Sequence, residues 1–69
     1  MKYSFTVEVK TKDRSVHMYF DSNDARDLRS GWQAIKYTLR DLKFALIIEE
    51  YSMEADNNTA KTWKDGGYI

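Results

Sequence analysis

Two stretches near the start of the chain alternate apolar and polar residues, and this alternation constrains the fold more than any other feature. Residues 3–9 read YSFTVEV and residues 15–21 read SVHMYFD, with an apolar side chain at every second position. A period of two is typical of a β-strand with one buried face. The linker between the stretches, residues 11–14, is short and polar. The sequence therefore predicts a β-hairpin.

The register of this hairpin follows from a turn centred on Lys12 and Asp13. The apolar residues then pair across the strands: Val9 with Val16, Val7 with Met18, and Phe5 with Phe20. A slip of one residue would move every apolar side chain to the wrong face, so the register is well specified. On the other face, His17 lies opposite Glu8.

An amphipathic helix is predicted after the hairpin, in residues 21–42. Its apolar stripe has the intervals of four and three that are typical of a helix: Leu28, Trp32, Ile35, Leu39 and Leu42. Ser22, Asn23 and Asp24 are all suitable N-caps, and Asp24 with Asp27 resembles a capping box. Gly31 costs about 1 kcal/mol in a helix interior. We interpret it as allowing close approach to the sheet, with a short first turn as the alternative.

Two further strands are predicted in the rest of the chain. Residues 44–53, FALIIEEYSM, favour a strand that is apolar on both faces, residues 56–58 favour a turn, and residues 59–64 favour a final strand. The whole chain, 1–69, is expected to form one domain. The predicted core comprises Phe5, Val7, Val9, Val16, Met18, Phe20, Leu28, Trp32, Ile35, Leu39, Leu42, Phe44, Leu46 and Ile48.

The predicted fold is α+β with the order ββαββ, one helix packed across a four-stranded sheet. If the first and last strands lie side by side, this order resembles the β-grasp layout of ubiquitin-like domains and immunoglobulin-binding bacterial domains. The other strand order gives an all-antiparallel sheet. A shared layout implies no particular function.

Composition excludes several classes of protein. The chain has no cysteine, so neither a disulfide nor a thiolate nucleophile is available. No apolar run approaches the roughly 18 residues of a membrane span, and residues 1–9 do not resemble a signal peptide. We therefore expect a cytoplasmic protein that does not enter membranes. The 11 basic and 11 acidic residues cancel, whereas generic nucleic-acid binding normally needs a basic excess.

Catalytic chemistry has little support in the sequence. His17 is the only histidine; Glu8 could orient it as a base, with Ser4 or Ser15 as the nucleophile. A single open sheet, however, offers no cleft to exclude water. The acidic residues near position 50 point to alternating faces and do not converge as hard metal ions require. We expect neither an enzyme, nor a metal site, nor a bound cofactor.

An apolar patch on the outer face of the sheet is the first candidate partner-binding surface. If the third strand runs without interruption, Ile47, Tyr51 and Met53 lie on that face, where Tyr19 can join them. Patches of this kind on small domains mark interfaces. Trp63, on the predicted last strand, could anchor an edge-to-edge contact. The alternative is a bulge at Glu49 and Glu50 that turns Tyr51 and Met53 inward.

A basic flank of the predicted helix is the second candidate surface. Its members lie beside the apolar stripe: Arg26, Arg29, Lys36, Tyr37 and Arg40. A basic ridge with a tyrosine can hold nucleic acid or an acidic protein. Charged flanks are also normal on amphipathic helices, so an ordinary solvated face is the alternative.

The paired Gly66 and Gly67 suggest two interpretations. A ubiquitin-like modifier would need Gly67 at a free C-terminus, and here Tyr68 and Ile69 follow, so processing would be required. A turn at the end of the last strand is the simpler explanation.

The sequence favours a non-catalytic protein-binding module that occupies a partner's surface. Compact cysteine-poor domains of this size occur among inhibitors encoded by phages and mobile elements, including anti-CRISPR proteins with a similar sheet-plus-helix plan. A nucleic-acid-binding accessory domain is the alternative, and a ubiquitin-like modifier precursor is a minor one. We also expect that the outer face of the predicted second hairpin can form a homodimer contact.

Overall fold

A computed structural model describes residues 2–68 and shows a mixed α+β fold with the element order ββαβα. The elements are β1 (Tyr3–Lys10), β2 (Ser15–Ser22), α1 (Ala25–Phe44), β3 (Glu50–Ala55) and α2 (Asn57–Asp65). Within residues 2–68 the sheet has three strands in the order β2-β1-β3, and both strand pairs are antiparallel. The predicted α+β class is confirmed, whereas the four-stranded sheet and the order ββαββ are wrong. The predicted fourth strand is a helix, so neither of the two four-stranded arrangements applies, although β1 does lie beside β3, the last strand that forms.

The first hairpin has the predicted register. Val9 pairs with Val16, Val7 with Met18, and Phe5 with Phe20. His17 lies opposite Glu8, also as predicted. The alternation excludes a slip of one residue, and the short turn at Lys12 and Asp13 excludes larger slips, so the two together fix the register.

Helix α1 begins at the predicted cap and covers the apolar face of the sheet. The Asp24 carboxylate accepts hydrogen bonds from the main-chain N–H groups of Arg26, at 2.9 Å, and Asp27, at 3.3 Å. Gly31 lies inside one continuous helix, and a Cβ atom at this position would have no neighbour within 4 Å. Gly31 therefore does not serve close approach to the sheet, and α1 has no separate first turn.

The segment predicted as the last strand is instead helix α2. The Asp56 carboxylate accepts a hydrogen bond from the Asn58 N–H and so caps the helix instead of opening a hairpin turn. Thr59 and Trp63, four residues apart, form the buried face of α2. This spacing fits a helix, and burial of the indole outweighs the weak strand preference of a six-residue stretch.

Strand β3 is shorter than predicted, and its apolar side chains lie on the helix side of the sheet instead of the predicted outer face. It begins at Glu50, and pairing with β1 places Tyr51 opposite Val9 and Met53 opposite Val7. Tyr51 and Met53 thus lie on the helix side of the sheet, half-buried against the core. The uninterrupted strand from residue 44 is therefore wrong. The inward orientation matches the bulge alternative, but a turn after α1 causes it.

One core holds the sheet and both helices together. Its buried apolar residues are Phe5, Val7, Val9, Leu28, Leu39, Ile48 and Trp63. Phe5 and Trp63 both pack edge-on against Trp32, with ring centroids 5.1 and 5.3 Å away. Three predicted core residues are wrong, because Val16, Phe44 and Leu46 are exposed.

The two adjacent glycines end helix α2. The Tyr68 N–H donates to the Trp63 carbonyl at 2.9 Å, and the Gly67 N–H donates to the Lys64 carbonyl at 3.3 Å. Gly67 has φ +74°, the left-handed conformation that this helix ending requires. A Cβ on Gly66 would lie 2.7 Å from the Tyr68 ring. The pair therefore folds Tyr68 back onto the helix.

Candidate interaction surface

Helix α1 ends in a hydrogen-bonded turn that turns the chain away from the sheet. The Ala45 N–H donates to the Asp41 carbonyl. The Leu46 N–H donates to the Lys43 carbonyl at 3.0 Å, and the Ile47 N–H donates to the Leu42 carbonyl at 2.9 Å. The last two bonds have the spacing of a Schellman motif. In that motif the residue at the Leu46 position adopts the left-handed conformation.

Leu46 adopts this conformation with φ +62°, where an L-residue with a side chain is strained. Glycine is the usual residue at this position because it has no Cβ to clash. The other helix of this protein has the usual solution, with Gly67 at the equivalent position. Leu46 is therefore a costly choice for ending α1.

Three apolar side chains at this end of α1 lie in solvent. Phe44 is 91% exposed, Leu46 is 89% exposed and Ile47 is 64% exposed. We call these three residues the apolar tip. The next residue, Ile48, is only 7% exposed and anchors the turn to the core. The apolar tip is thus an exposed cluster on a fixed turn.

A shallow hollow adjoins the apolar tip. Leu46 forms one wall of it, and Ile48 and Glu49 also line it. The other two lining residues are Lys12, from the β1–β2 turn, and Lys43, from the last turn of α1. An exposed apolar cluster beside two lysines can contact a complementary protein surface.

The predicted partner-binding residues do not form one surface. Ile47 belongs to the apolar tip, and Tyr19 is 62% exposed on the outer face of the sheet. Tyr51 and Met53 face α1, and Trp63 is buried. The Trp63 indole N–H donates to the Ala25 carbonyl at 2.9 Å, so this side chain joins α2 to α1. An edge contact through Trp63 is therefore wrong.

Two residues of the predicted basic flank of α1 pack against other parts of the fold, and the other three are exposed. The Arg29 guanidinium donates to the Tyr68 carbonyl at 3.0 Å and lies over the Trp63 ring. Arg26 lies over the Tyr68 ring. Both arginines therefore contact the C-terminal segment.

The remaining members of this flank are exposed. Lys36 and Tyr37 lie on the solvent side of α1. Arg40 stacks on the Tyr37 ring at 5.0 Å and approaches Asp41 at 3.7 Å. Fewer basic side chains of this flank are therefore available to bind a partner than the sequence predicted.

The His17 site has the geometry of a surface pair. The His17 Nε2 atom lies 3.4 Å from the Glu8 Oε2 atom, and both side chains are exposed. The register places Ser4 opposite Asp21 and Ser15 opposite Lys10, so neither serine faces His17. Within residues 2–68 no three His, Asp or Glu side chains are grouped so as to hold a metal ion.

Sequence reasoning missed two residues of the apolar tip, because Phe44 and Leu46 were assigned to a strand. The usual signal for a helix end is a glycine just beyond it, and this position holds Leu46. The intervals of the apolar stripe stop at Leu42, which was the available indication that Phe44 leaves the core.

Comparisons with protein-family models, curated proteins and solved structures give no match for this chain. Among the helices within residues 2–68, neither is long and apolar enough to cross a membrane.

Proposed function

We propose that this protein is a small non-catalytic protein-binding module that occupies a partner's surface through the apolar tip. The observation that carries this proposal is the combination at Leu46 of a left-handed backbone and an almost fully exposed side chain. A strained residue that contributes nothing to the core costs folding free energy without stabilising the fold. Such strain is typical of functional sites, where a side chain must be held in one direction.

The chemistry of the apolar tip defines the partner. Exposed Phe, Leu and Ile side chains on a fixed turn suit an apolar pocket on another protein, where burial of each contributes about 1.5–3 kcal/mol. Lys12 and Lys43 outnumber Glu49 beside the tip, and this basic excess favours carboxylates at the rim of that pocket. A module of this kind acts by occupation, as regulatory and inhibitory proteins of phages and mobile elements do. We propose a cytoplasmic location, which the lack of cysteine favours.

A matched set of variants tests this proposal. Affinity capture from cell extract, quantified by mass spectrometry, compares the parent with Leu46→Ala and with Tyr37→Ser. Leu46→Ala removes an exposed apolar side chain from the tip, and Tyr37→Ser removes one from the solvent side of α1. We expect the specific partner to be lost with Leu46→Ala and retained with Tyr37→Ser. Equal retention by both variants would contradict a role for the tip.

The nucleic-acid alternative has less support, because Arg26 and Arg29 contact Tyr68 and Trp63. A salt titration with labelled DNA and RNA tests it. Binding that weakens steeply with salt, and that is lost with Tyr37→Ser or Arg40→Ala, would favour this alternative over the tip.

A further inference from the structure

The outer edge of β2 has open hydrogen-bonding capacity. Within residues 2–68, β2 pairs only with β1, which is the middle strand. The Thr11 N–H donates to the Arg14 carbonyl at 2.9 Å, on the β2 side of the hairpin. The Ser4 and Lys10 carbonyls accept hydrogen bonds from the Asp56 and Glu49 N–H groups, on the β3 side, so their β2 partners Asp21 and Ser15 are not bonded to them. Hydrogen-bonded pairs alternate along an antiparallel ladder. The main-chain groups of four β2 residues therefore point to the outer edge: Ser15, His17, Tyr19 and Asp21.

This edge lacks the features that usually prevent strand addition. Protein edges are protected by proline, lysine, bulges or short strands. Strand β2 is eight residues long and contains neither proline nor lysine. The opposite edge strand, β3, is six residues long and carries Glu50 and Glu54.

An apolar groove runs beside the same edge. Met18 and Phe20 line it from β2, and Ala34, Ile35, Thr38 and Leu39 line it from α1. Phe5, Val7 and Val9 on β1 are buried on the same sheet face, whereas Met18 and Phe20 on β2 are half-buried and Val16 is 39% exposed. The core is therefore left partly uncovered along β2.

We propose that this edge pairs with β2 of a second copy of the chain, antiparallel and about a two-fold axis at Tyr19. This interface is separate from the apolar tip and does not depend on the proposed function. It joins two three-stranded sheets into one sheet of six strands, and the added strand covers the groove. The contact is isologous, so each copy gives and receives the same hydrogen bonds.

The side chains of β2 complement themselves in this register. Only pairings between outward-pointing residues complete the ladder, and an axis at Tyr19 is one of these. It places Tyr19 against its own copy, and Met18 against Phe20, as an aromatic pair and a sulfur–aromatic pair. It also places His17 opposite Asp21, where the imidazole N–H can donate to the carboxylate. This side-chain complementarity favours a second copy over a foreign strand.

The main-chain contact is tested by substitutions at His17, whose N–H points to the open edge and not to β1. His17→Pro removes that N–H, and His17→Thr keeps it while removing the imidazole. Sedimentation equilibrium should show the parent doubling its mass with concentration. We expect His17→Pro to weaken dimerisation at least tenfold and His17→Thr to retain more of it. Circular dichroism and thermal melting show whether both variants fold.

Several outcomes would overturn the proposal. A parent that stays monomeric up to millimolar concentration excludes pairing with a second copy. Equal weakening by two folded variants, His17→Pro and His17→Thr, assigns the contact to the imidazole and not to the strand edge. If His17→Pro does not fold, amide exchange in the parent gives the decision. Protection of the His17 and Tyr19 amides that rises with concentration supports edge pairing, and constant exchange excludes it.

The lack of native cysteine allows a clean test of the register. A residue on the two-fold axis faces its own copy, and hydrogen-bonded pairs have Cα atoms about 5.5 Å apart, within disulfide range. Under mild oxidation Tyr19→Cys should give a cross-linked dimer. Ser52→Cys, which is exposed on β3, should not. Cross-linking of Met18→Cys in place of Tyr19→Cys would overturn the axis at Tyr19.

Discussion

At the scale of single residues, the two helices of this protein end in the same way with different residues. Each ending has the hydrogen bonds of a Schellman motif and one residue with positive φ, Leu46 after α1 and Gly67 after α2. A left-handed L-residue costs about 1–2 kcal/mol that glycine avoids. The fold itself does not explain the leucine, which supports a role for its side chain in binding.

Leu46→Gly should therefore stabilise the protein. It relieves the strain at φ +62° and sacrifices no buried contact, since Leu46 is exposed. The greater freedom of glycine in the unfolded chain offsets part of this gain, so we expect the free energy of unfolding to rise by about 0.5–1 kcal/mol. Urea unfolding measures it. Leu46→Ala, which keeps the strain, should change stability little, and a less stable Leu46→Gly variant would contradict the interpretation.

Alanine substitutions at two native glycines, Gly31 and Gly67, should change the free energy of unfolding in opposite directions. A Cβ at Gly31 or at Gly67 would have no neighbour within 4 Å, so crowding is not a factor at either position. Gly31→Ala should raise the free energy of unfolding by about 0.5–1 kcal/mol, because Gly31 lies within a helix. Gly67→Ala should lower it by about 1 kcal/mol, because Gly67 is left-handed. Thermal melts of both variants provide the comparison. The same sign for both would be the contradicting result.

At the scale of elements, local patterns that match one another could be predicted from the sequence. The hairpin register followed from two alternating stretches joined by a short linker, and Asp24 marked the start of α1. Each prediction depended on neighbouring residues that agree with the geometry. The α+β class followed from these two elements alone.

The second half of the chain could not be predicted for two physical reasons. Helix α1 ends without a glycine, so the β-rich residues 44–49 looked like strand, whereas Phe44 is the last residue of α1 and residues 45–49 form the turn that follows it. Helix α2 is nine residues long, and its burial depends on contacts with Ala25 and Trp32, which lie far away in sequence. The apolar tip could not be predicted because no glycine marks the end of α1.

Thr59 links α2 to the sheet, and its hydroxyl group can be tested. Its Oγ1 atom accepts a hydrogen bond from the Ser4 N–H at 2.8 Å. Ser4 belongs to β1 and lies just past the last residue pair between β1 and β3, Phe5 with Ala55. Thr59 is fully buried. Thr59→Val has a similar shape but leaves the Ser4 N–H unpaired, so we expect a loss of about 1–3 kcal/mol in the free energy of unfolding.

The control for this prediction is Thr62→Val in the same helix. The half-buried Thr62 donates its hydroxyl to the Asn58 carbonyl within α2 in a hydrogen bond that is open to solvent, so the loss of this bond should change stability by less than about 0.5 kcal/mol. Chemical denaturation of both variants measures the difference. Equal effects of the two substitutions would show that the Ser4–Thr59 hydrogen bond does not hold α2 on the sheet.

At the scale of the whole molecule, the two proposed surfaces lie in different places on an elongated body. The molecule measures 37 × 18 × 15 Å. Helix α1, with its 20 residues, spans about 30 Å at roughly 1.5 Å per residue, and the apolar tip follows its last turn. The open edge of β2 runs along one side. A two-fold axis at Tyr19 would therefore leave both tips free, at opposite ends of the dimer.

Small-angle X-ray scattering should distinguish this arrangement from association through the tips. Joining two copies through β2 separates their middle strands by about 14 Å, since neighbouring strands lie about 4.8 Å apart. The radius of gyration should then rise with concentration from 12.8 Å for the Cα atoms of one chain to about 15 Å. End-to-end association would separate the centres by the long dimension and give about 22 Å, because the square of half the separation adds to the square of the radius. His17→Pro should keep the monomer value, and Leu46→Ala should still reach the dimer value. A radius that rises to about 22 Å, and that Leu46→Ala returns to the monomer value, would instead assign self-association to the apolar tip.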